Sequence, residues 1–193
     1  MGRFPRAVCR RRLSGTAIAA STLLLLGGCG FSAGPSRLAP DAPSTMTVTS
    51  QSFGRGVLPQ RYTCHGAKIS PPLNWSGAPQ GTKSYAIVVD DSDAPITPYI
   101  YWIVFDIPAA TTGIQEGQLP EGARQADNSA GRAGYDPPCP RGHSHSYRFT
   151  VYALRSWLNL PDGAPTRPAW TAIAAATIGR GRLTLTAKPL LIR

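Results

Sequence analysis

The chain has 193 residues, of which 42% are hydrophobic and 16% are charged, and its formal net charge is +10. This composition is too apolar for a disordered chain, and the absence of a heptad or Gly-X-Y period excludes coiled coil and collagen. The length fits one domain with a sizeable core. The 20 glycines and 19 prolines favour many short elements joined by turns over a helical bundle.

The N-terminus has the layout of a secretory signal peptide. Five arginines between Arg3 and Arg12 precede an uncharged, mostly apolar stretch from Leu13 to Leu26, and Gly27-Gly28-Cys29 follows. The 14-residue stretch is shorter than the roughly 20 residues that span a bilayer, which favours a cleaved signal over the alternative of an uncleaved anchor. Small residues before a cysteine are typical of a bacterial lipobox. We therefore predict a signal peptide over residues 1–28 and lipidation of Cys29.

The rest of the chain is predicted to be a tethered domain. Residues 29–44 are rich in Gly, Ser, Ala and Pro and are typical of a flexible linker, and residues 45–193 form the domain. Two acyl chains on Cys29 suffice for stable anchoring, so we expect a cell-membrane protein on the extracytoplasmic face. Without residues 1–28 the net charge falls to +5 with no basic run, so nucleic acid is not an expected partner.

Two cysteines are left in the predicted domain, Cys64 and Cys139. An extracytoplasmic compartment permits a disulfide. The pair is equally compatible with a Cys64–Cys139 disulfide and with two free thiols that line one pocket.

The hydrophobic pattern of the domain is that of strands. Alternation begins at Met46, and short apolar runs at 85–89, 100–105 and 148–154 are separated by Pro-rich or Gly-rich breaks, with further alternation at 182–186. One helix is predicted to open at Thr166 as its N-cap, with Pro168 in the first turn, and to stop before Gly179. The pattern predicts a mainly β protein, an antiparallel sheet or sandwich with one or two small peripheral helices.

Three carboxylates follow the first apolar run, in Asp90-Asp91-Ser92-Asp93. Such a cluster is costly unless a metal, a hydrogen-bonded loop or a shared proton relieves the repulsion. A turn whose aspartates accept hydrogen bonds from backbone N–H groups is the more common explanation, and we favour it when this segment is considered alone.

Two of the three histidines, His143 and His145, precede the strand run at 148–154. At this spacing His143, His145 and Tyr147 share one strand face. A zinc site that uses both histidines with Cys139 is conceivable, but no further histidine supports it. We expect hydrogen-bonded structural histidines and no metal.

Several segments, in this order, are similar to the phosphatidylethanolamine-binding protein family, and in particular to its bacterial Raf-kinase-inhibitor-like branch. They are Asp-x-Asp-Ala-Pro at 91–95, Gly-Tyr-x-x-Pro-Cys-Pro at 134–140 and His-x-Tyr-x-Phe-x-x-Tyr-Ala-Leu at 145–154. The resemblance covers about residues 46–187. It implies an antiparallel β-sandwich with a small pocket for anions such as phosphate or phosphorylated headgroups.

Carried over to this sequence, the resemblance implies that the first motif and the middle strand supply part of the pocket. The second and third motifs supply the rest. The implied ligand-binding residues are Asp91, Asp93, Pro95, Tyr101, Gly134, Pro138, His145 and Tyr147. The imidazole and phenol groups would donate to an anion, and the carboxylates would orient the imidazole.

Three residues depart from the family pattern. Tyr101 stands where the family usually has His, Tyr99 where it has Trp, and Asp136 where it often has Gly. A phenol does not become cationic near neutral pH, and an added carboxylate opposes an anion. We expect weaker anion binding than in typical members, or a different ligand.

The family resemblance and the residue pattern favour a non-catalytic, membrane-tethered binding protein without a cofactor. Cys139 is the only nucleophile worth considering near His145, and a disulfide would eliminate it. The alternative is a protein-interaction module of the kinase- or protease-inhibitor type whose pocket is vestigial. The sequence names no protein partner.

Overall fold

The structure is a computed structural model that describes residues 42–54, 56–93 and 98–189. The predicted signal peptide, Cys29, most of the predicted linker and Pro95 lie outside these residues. In the described part of the chain, no helix combines the length and the apolar character needed to cross a membrane.

The described residues form eight β-strands, one α-helix and a short 3-10 helix. The mainly β prediction is confirmed. The elements are β1 (Thr47–Thr49), the 3-10 helix (Gln60–Tyr62), β2 (Leu73–Ser76), β3 (Ser84–Asp91), β4 (Ile100–Pro108), β5 (Gly113–Ile114), β6 (Arg124–Ala126), β7 (His145–Leu154), α1 (Thr166–Ala176) and β8 (Thr177–Ala187).

The strands form two antiparallel sheets. The smaller has the order β1-β2-β5, and the larger has the order β6-β4-β3-β7-β8. Strand β3 lies at the centre of the larger sheet, between β4 and β7. The end of β3 and the starts of β4 and β7 therefore meet at one edge, which is where the sequence places its aspartates and histidines.

The larger sheet is buried on both faces, which explains why its strands are continuous apolar runs. All eight residues of β3 are buried. Ile87 and Val89 pack into the core shared with the smaller sheet, whereas Ala86 and Val88 face α1 and pack with Ile173. A strand that is covered on both sides gains from apolar residues at every position, so alternation disappears.

The two sheets approach closely where β8 passes β1. A Cβ atom at Gly181 would lie 2.6 Å from the carbonyl oxygen of Met46, closer than real side chains come. Glycine at this position thus permits the contact between the backbones.

The helix begins differently from the prediction. Pro165 is the N-cap residue, and Thr166 is the first residue of α1, so the assignment of Thr166 as the N-cap is wrong. Its hydroxyl instead donates to the carbonyl oxygens of Asp127 (2.7 Å) and Asn128 (3.1 Å). Because these carbonyls lie directly after β6, Thr166 fastens the helix to the larger sheet.

Candidate functional site

An aspartate and a histidine from adjacent strands form a close hydrogen-bonded pair at one edge of the larger sheet. Asp91 ends β3, and His145 begins β7. Asp91 Oδ2 lies 2.8 Å from His145 Nδ1, with side-chain exposures of 5% and 19%. Since the carboxylate accepts, Nδ1 carries the hydrogen. The other ring nitrogen, Nε2, is then a donor only when the imidazole is protonated.

The three neighbouring carboxylates avoid mutual repulsion because each has a separate partner. Asp90 pairs with Arg148 on β7, while Asp91 accepts from the backbone N–H of Asp93 at 2.8 Å as well as pairing with His145. Asp93 accepts from the backbone N–H of Ser146 at 2.7 Å. Of the alternatives for this cluster, the structure has the hydrogen-bonded turn.

The hydrogen bond from Ser146 also sets the charge of Asp93. It is the main reason that the pKa of the Asp93 carboxyl lies below its ordinary value, because a donated N–H stabilises the carboxylate form. Asp93 thus stays ionised and remains hydrogen-bonded at the β3–β7 edge.

Tyrosines from β4 and β7 stand beside the Asp91–His145 pair. The ring centroids of Tyr101 and Tyr147 are 5.5 Å apart, and Tyr147 is opposite Asp91 in the β3–β7 register. Burial is the largest cause that raises the pKa of both phenols. The next cause is the carboxylate of Asp91 for Tyr101 and the neighbouring phenol of Tyr101 for Tyr147. Both remain neutral O–H donors near neutral pH. The sequence predicts that Asp91, Asp93, Tyr101, His145 and Tyr147 line a binding pocket, and we call this set of residues the Asp91–His145 pocket.

Asp136 has hydrogen-bond partners of its own beside this pair. Its carboxylate accepts from the Tyr99 hydroxyl at 2.8 Å and from Arg132 at 3.2 Å. Burial and the Asp136 hydrogen bond raise the pKa of Tyr99 to about 12. The charge that was expected to oppose an anion is therefore offset by the guanidinium of Arg132, four residues earlier.

The loop from Gly134 to Cys139 is anchored to a distant part of the chain. Cys64 and Cys139, separated by 75 residues, form a disulfide, and the Cys64 N–H donates to the carbonyl oxygen of Pro138 at 3.0 Å. The carbonyl oxygen of Gly134 accepts from the Asn128 side chain at 3.1 Å. A disulfide that closes so long a loop typically stabilises a fold by about 2–4 kcal/mol.

The disulfide bears on two chemistries considered from the sequence. A cysteine in a disulfide supplies no thiolate, so Cys139 is neither a nucleophile nor a zinc ligand while the bond is intact. Within the described ranges, the side chains that bring metal-ligand atoms within 4.8 Å of one another are Cys64, His65 and Cys139. This cluster does not include His143 or His145, and its two sulfurs are bonded to each other.

The structure brings together five of the residues that the resemblance implied, and Gly134 and Pro138 belong to a loop whose Asp136 N–H donates to the carbonyl oxygen of Tyr101 at 2.8 Å. Asp91, Asp93, Tyr101, His145 and Tyr147 meet at the β3–β7 edge. The hydrogen bonds named above for Gly134 and Pro138 go to residues outside this pocket, and Pro95 is outside the described residues.

Sequence reasoning missed three participants at the β3–β7 edge and the adjoining loop. They are Ser146, whose N–H holds Asp93, and Arg132 and Tyr135, which belong to the loop. The spacing of four residues between Arg132 and Asp136 was an available signal for their ion pair. Nothing in the sequence marks a backbone N–H such as that of Ser146 as a hydrogen-bond donor to a specific carboxylate.

The fold and the site define a small β-sandwich protein with a hydrogen-bonded carboxylate–imidazole pair at a sheet edge. Residues 49–188 match the family model described as phosphatidylethanolamine-binding protein. The chain belongs to this family, as the sequence motifs predicted.

Individual relatives agree with this assignment. The chain is 40% identical to a UPF0098 protein of Methanothermobacter thermautotrophicus, over 72% of this chain and 95% of the relative. It is 39% identical to a Mycobacterium tuberculosis protein named "Putative lipoprotein LppC", over 83% of this chain and 89% of the relative. The crystal structure of Escherichia coli YbcL, titled a new member of the mammalian PEBP family, superposes with a TM-score of 0.71 at 30% identity, over 76% of this chain and all of YbcL.

Proposed function

We propose that the protein is a membrane-tethered lipoprotein that binds a small phosphorylated or other anionic ligand, without catalysis, in the Asp91–His145 pocket. The observation that carries the proposal is the 2.8 Å contact between Asp91 Oδ2 and His145 Nδ1. It fixes the tautomer of the imidazole and directs the donor capacity of its protonated form to Nε2. Members of this family are in general binding proteins rather than enzymes.

The carboxylates in and beside the pocket are compatible with an anionic ligand because each already accepts a hydrogen bond from the protein. Asp91 accepts from His145, Asp93 accepts from a backbone N–H, and Asp136, beside the pocket, pairs with Arg132. A bound anion would meet the neutral hydroxyls of Tyr101 and Tyr147 and the Nε2–H of a protonated His145. Hydrogen bonds from a charged donor are roughly twice as strong as neutral ones, so His145 dominates the expected affinity.

Anion binding is therefore expected to involve the imidazole of His145 directly. Sulfate is the suitable probe, because its charge does not change near neutral pH whereas that of phosphate does. We would titrate the purified chain with sulfate at a fixed pH and follow the imidazole signals by NMR. Saturable shifts at His145 support the proposal.

The matched variants are His145→Ala and His143→Ala. The two rings stack with centroids 4.4 Å apart, but His143 is exposed and the Asp91 contact belongs to His145. His145→Ala should abolish sulfate binding, and His143→Ala should retain it. If the wild-type chain fails to bind sulfate, phosphate and phosphorylethanolamine at millimolar concentration, the anion-pocket proposal is wrong, and the interaction-module alternative becomes the better explanation.

The membrane tether rests on the Gly27-Gly28-Cys29 sequence and on the lipoprotein name of the Mycobacterium tuberculosis relative. Two acyl chains on one cysteine anchor a protein stably. The wild-type chain should enter the membrane fraction and incorporate labelled palmitate. Cys29→Ala should lose the label, and a Cys29→Ala chain that is labelled as strongly as wild type contradicts the assignment.

A further inference from the structure

A cavity lined in part by Gly134 and Tyr135 contains none of the residues of the Asp91–His145 pocket. Its volume is about 280 Å³, close to the lower end of the roughly 300–1,000 Å³ typical of small-molecule sites. We call it the Lys68 cavity. The lining residues that matter for its chemistry are Lys68, Ile69, Trp102, Leu119, Gln125 and Tyr135.

The base of the Lys68 cavity is aromatic, and the polar atoms of its two rings are already paired. Trp102, which is 1% exposed, meets the ring of Tyr135 edge to face at 5.6 Å. The Trp102 Nε1–H donates to Gln125 Oε1 at 2.6 Å, and the Tyr135 hydroxyl donates to the carbonyl oxygen of Tyr62 at 2.9 Å. Because its oxygen is engaged by Trp102, Gln125 presents its amide N–H groups as free donors.

The rim of the cavity is held in place by several hydrogen bonds. Glu116 accepts from the Arg61 guanidinium at 2.6 Å and from the Tyr62 hydroxyl at 2.8 Å. Next to Glu116, the Gly117 N–H donates to the carbonyl oxygen of Ser70 at 2.9 Å. These bonds tie the segment that follows β5 to the chain on both sides of Lys68. The cavity wall is therefore held in place without a ligand.

The backbone at Lys68 has a left-handed conformation, with φ of 61°. This conformation is unfavourable for a residue with a Cβ atom and is usually occupied by glycine. It is held by the Lys68 N–H, which donates to the carbonyl oxygen of Arg61 at 3.1 Å. Lys68 lines the cavity and is the positively charged residue of its wall.

That charge is available to a ligand. Ion pairs within the described residues involve Arg61, Arg132, His145 and Arg148, and Lys68 takes part in none of them. Burial raises the pKa of Tyr135 above its ordinary value, so this phenol is uncharged. The cavity thus combines one cation and two amide hydrogens with the apolar side chains of Ile69 and Leu119, of which Leu119 is 39% exposed.

We propose that the Lys68 cavity binds a small aromatic carboxylate. Its carboxylate is held by the ammonium of Lys68 and the amide of Gln125, and its ring covers Leu119 and Ile69 above Trp102 and Tyr135. The site is separate from the Asp91–His145 pocket and does not depend on it.

The probe is naphthalene-1-carboxylate, titrated into the ¹⁵N-labelled chain. The indole N–H signal of Trp102, identified by its loss in Trp102→Phe, reports on binding because Gln125 accepts its hydrogen bond. We expect a saturable shift of this signal with the carboxylate and a much weaker effect from the uncharged naphthalene-1-carboxamide. Equal binding of both compounds, or no shift at millimolar carboxylate, overturns the proposal.

Two variants of Lys68 separate the charge from the backbone. Lys68→Gln removes the cation, and Lys68→Gly also relieves the left-handed strain, so at least one is expected to fold. Both variants should bind naphthalene-1-carboxylate about tenfold more weakly than wild type, which corresponds to about 1.4 kcal/mol of binding free energy. Lys83→Gln, at an exposed position outside the cavity, is the matched control and should bind as wild type does. Unchanged affinity in both Lys68 variants also overturns the proposal.

Discussion

Tyr101 is the single residue that most distinguishes this pocket, because the family usually has a histidine at the corresponding position. Its phenol ring packs against Tyr147. Its pKa is raised mainly by burial and next by the negative charge of Asp91. It therefore donates one neutral hydrogen bond at every physiological pH. A histidine would add a second donor that becomes cationic in acid.

Tyr101→His is predicted to increase sulfate affinity about three- to tenfold at pH 6 and to change it little at pH 8, because only the protonated imidazole donates a charge-assisted hydrogen bond. Calorimetric titration at the two pH values measures this. Tyr101→Phe is the control, and it should bind more weakly than wild type at both. If Tyr101→Phe binds sulfate as well as wild type, the phenol does not contact the anion.

At the scale of secondary-structure elements, the sequence predicts more of the sheet than of the site. The apolar runs at 85–89, 100–105 and 148–154 lie inside β3, β4 and β7 because strands that are buried on both faces need apolar residues throughout. Strand β8 begins at Thr177, earlier than the alternation at 182–186 indicates. Its first residues include two glycines, which carry no side chain from which a pattern can be recognised.

The site required information that short-range patterns do not hold. Alternation along a strand indicates that Asp90 and Asp91 face opposite ways, but not that Arg148 faces one and His145 the other. That assignment depends on the register between β3 and β7, which pairs Asp90 with Arg148 and Asp91 with Tyr147. The family motifs named His145 and Asp91 without their geometry, and register is fixed by long-range packing.

At the scale of the whole molecule, the tyrosines make the folded chain less stable at alkaline pH. All seven tyrosines of the chain have a pKa raised above the ordinary value, and burial is the largest cause for each. In the unfolded chain these phenols titrate near pH 10. The folded chain holds its phenolic protons at a pH where the unfolded chain has released them, so rising pH favours unfolding.

We predict that stability is insensitive to phenol ionisation below about pH 10 and falls steeply above it. Phenolate absorbance at 295 nm should stay low in the folded chain and then rise together with the loss of the far-UV circular dichroism signal. The control is Tyr99→Phe, because the pKa of Tyr99 is about 12. This variant should lose one seventh of the final absorbance step, since the chain has seven tyrosines. Its stability should also fall less steeply with rising pH. A gradual rise centred near pH 10, with the circular dichroism unchanged, would contradict the prediction because it would mean that the phenols titrate freely in the folded chain.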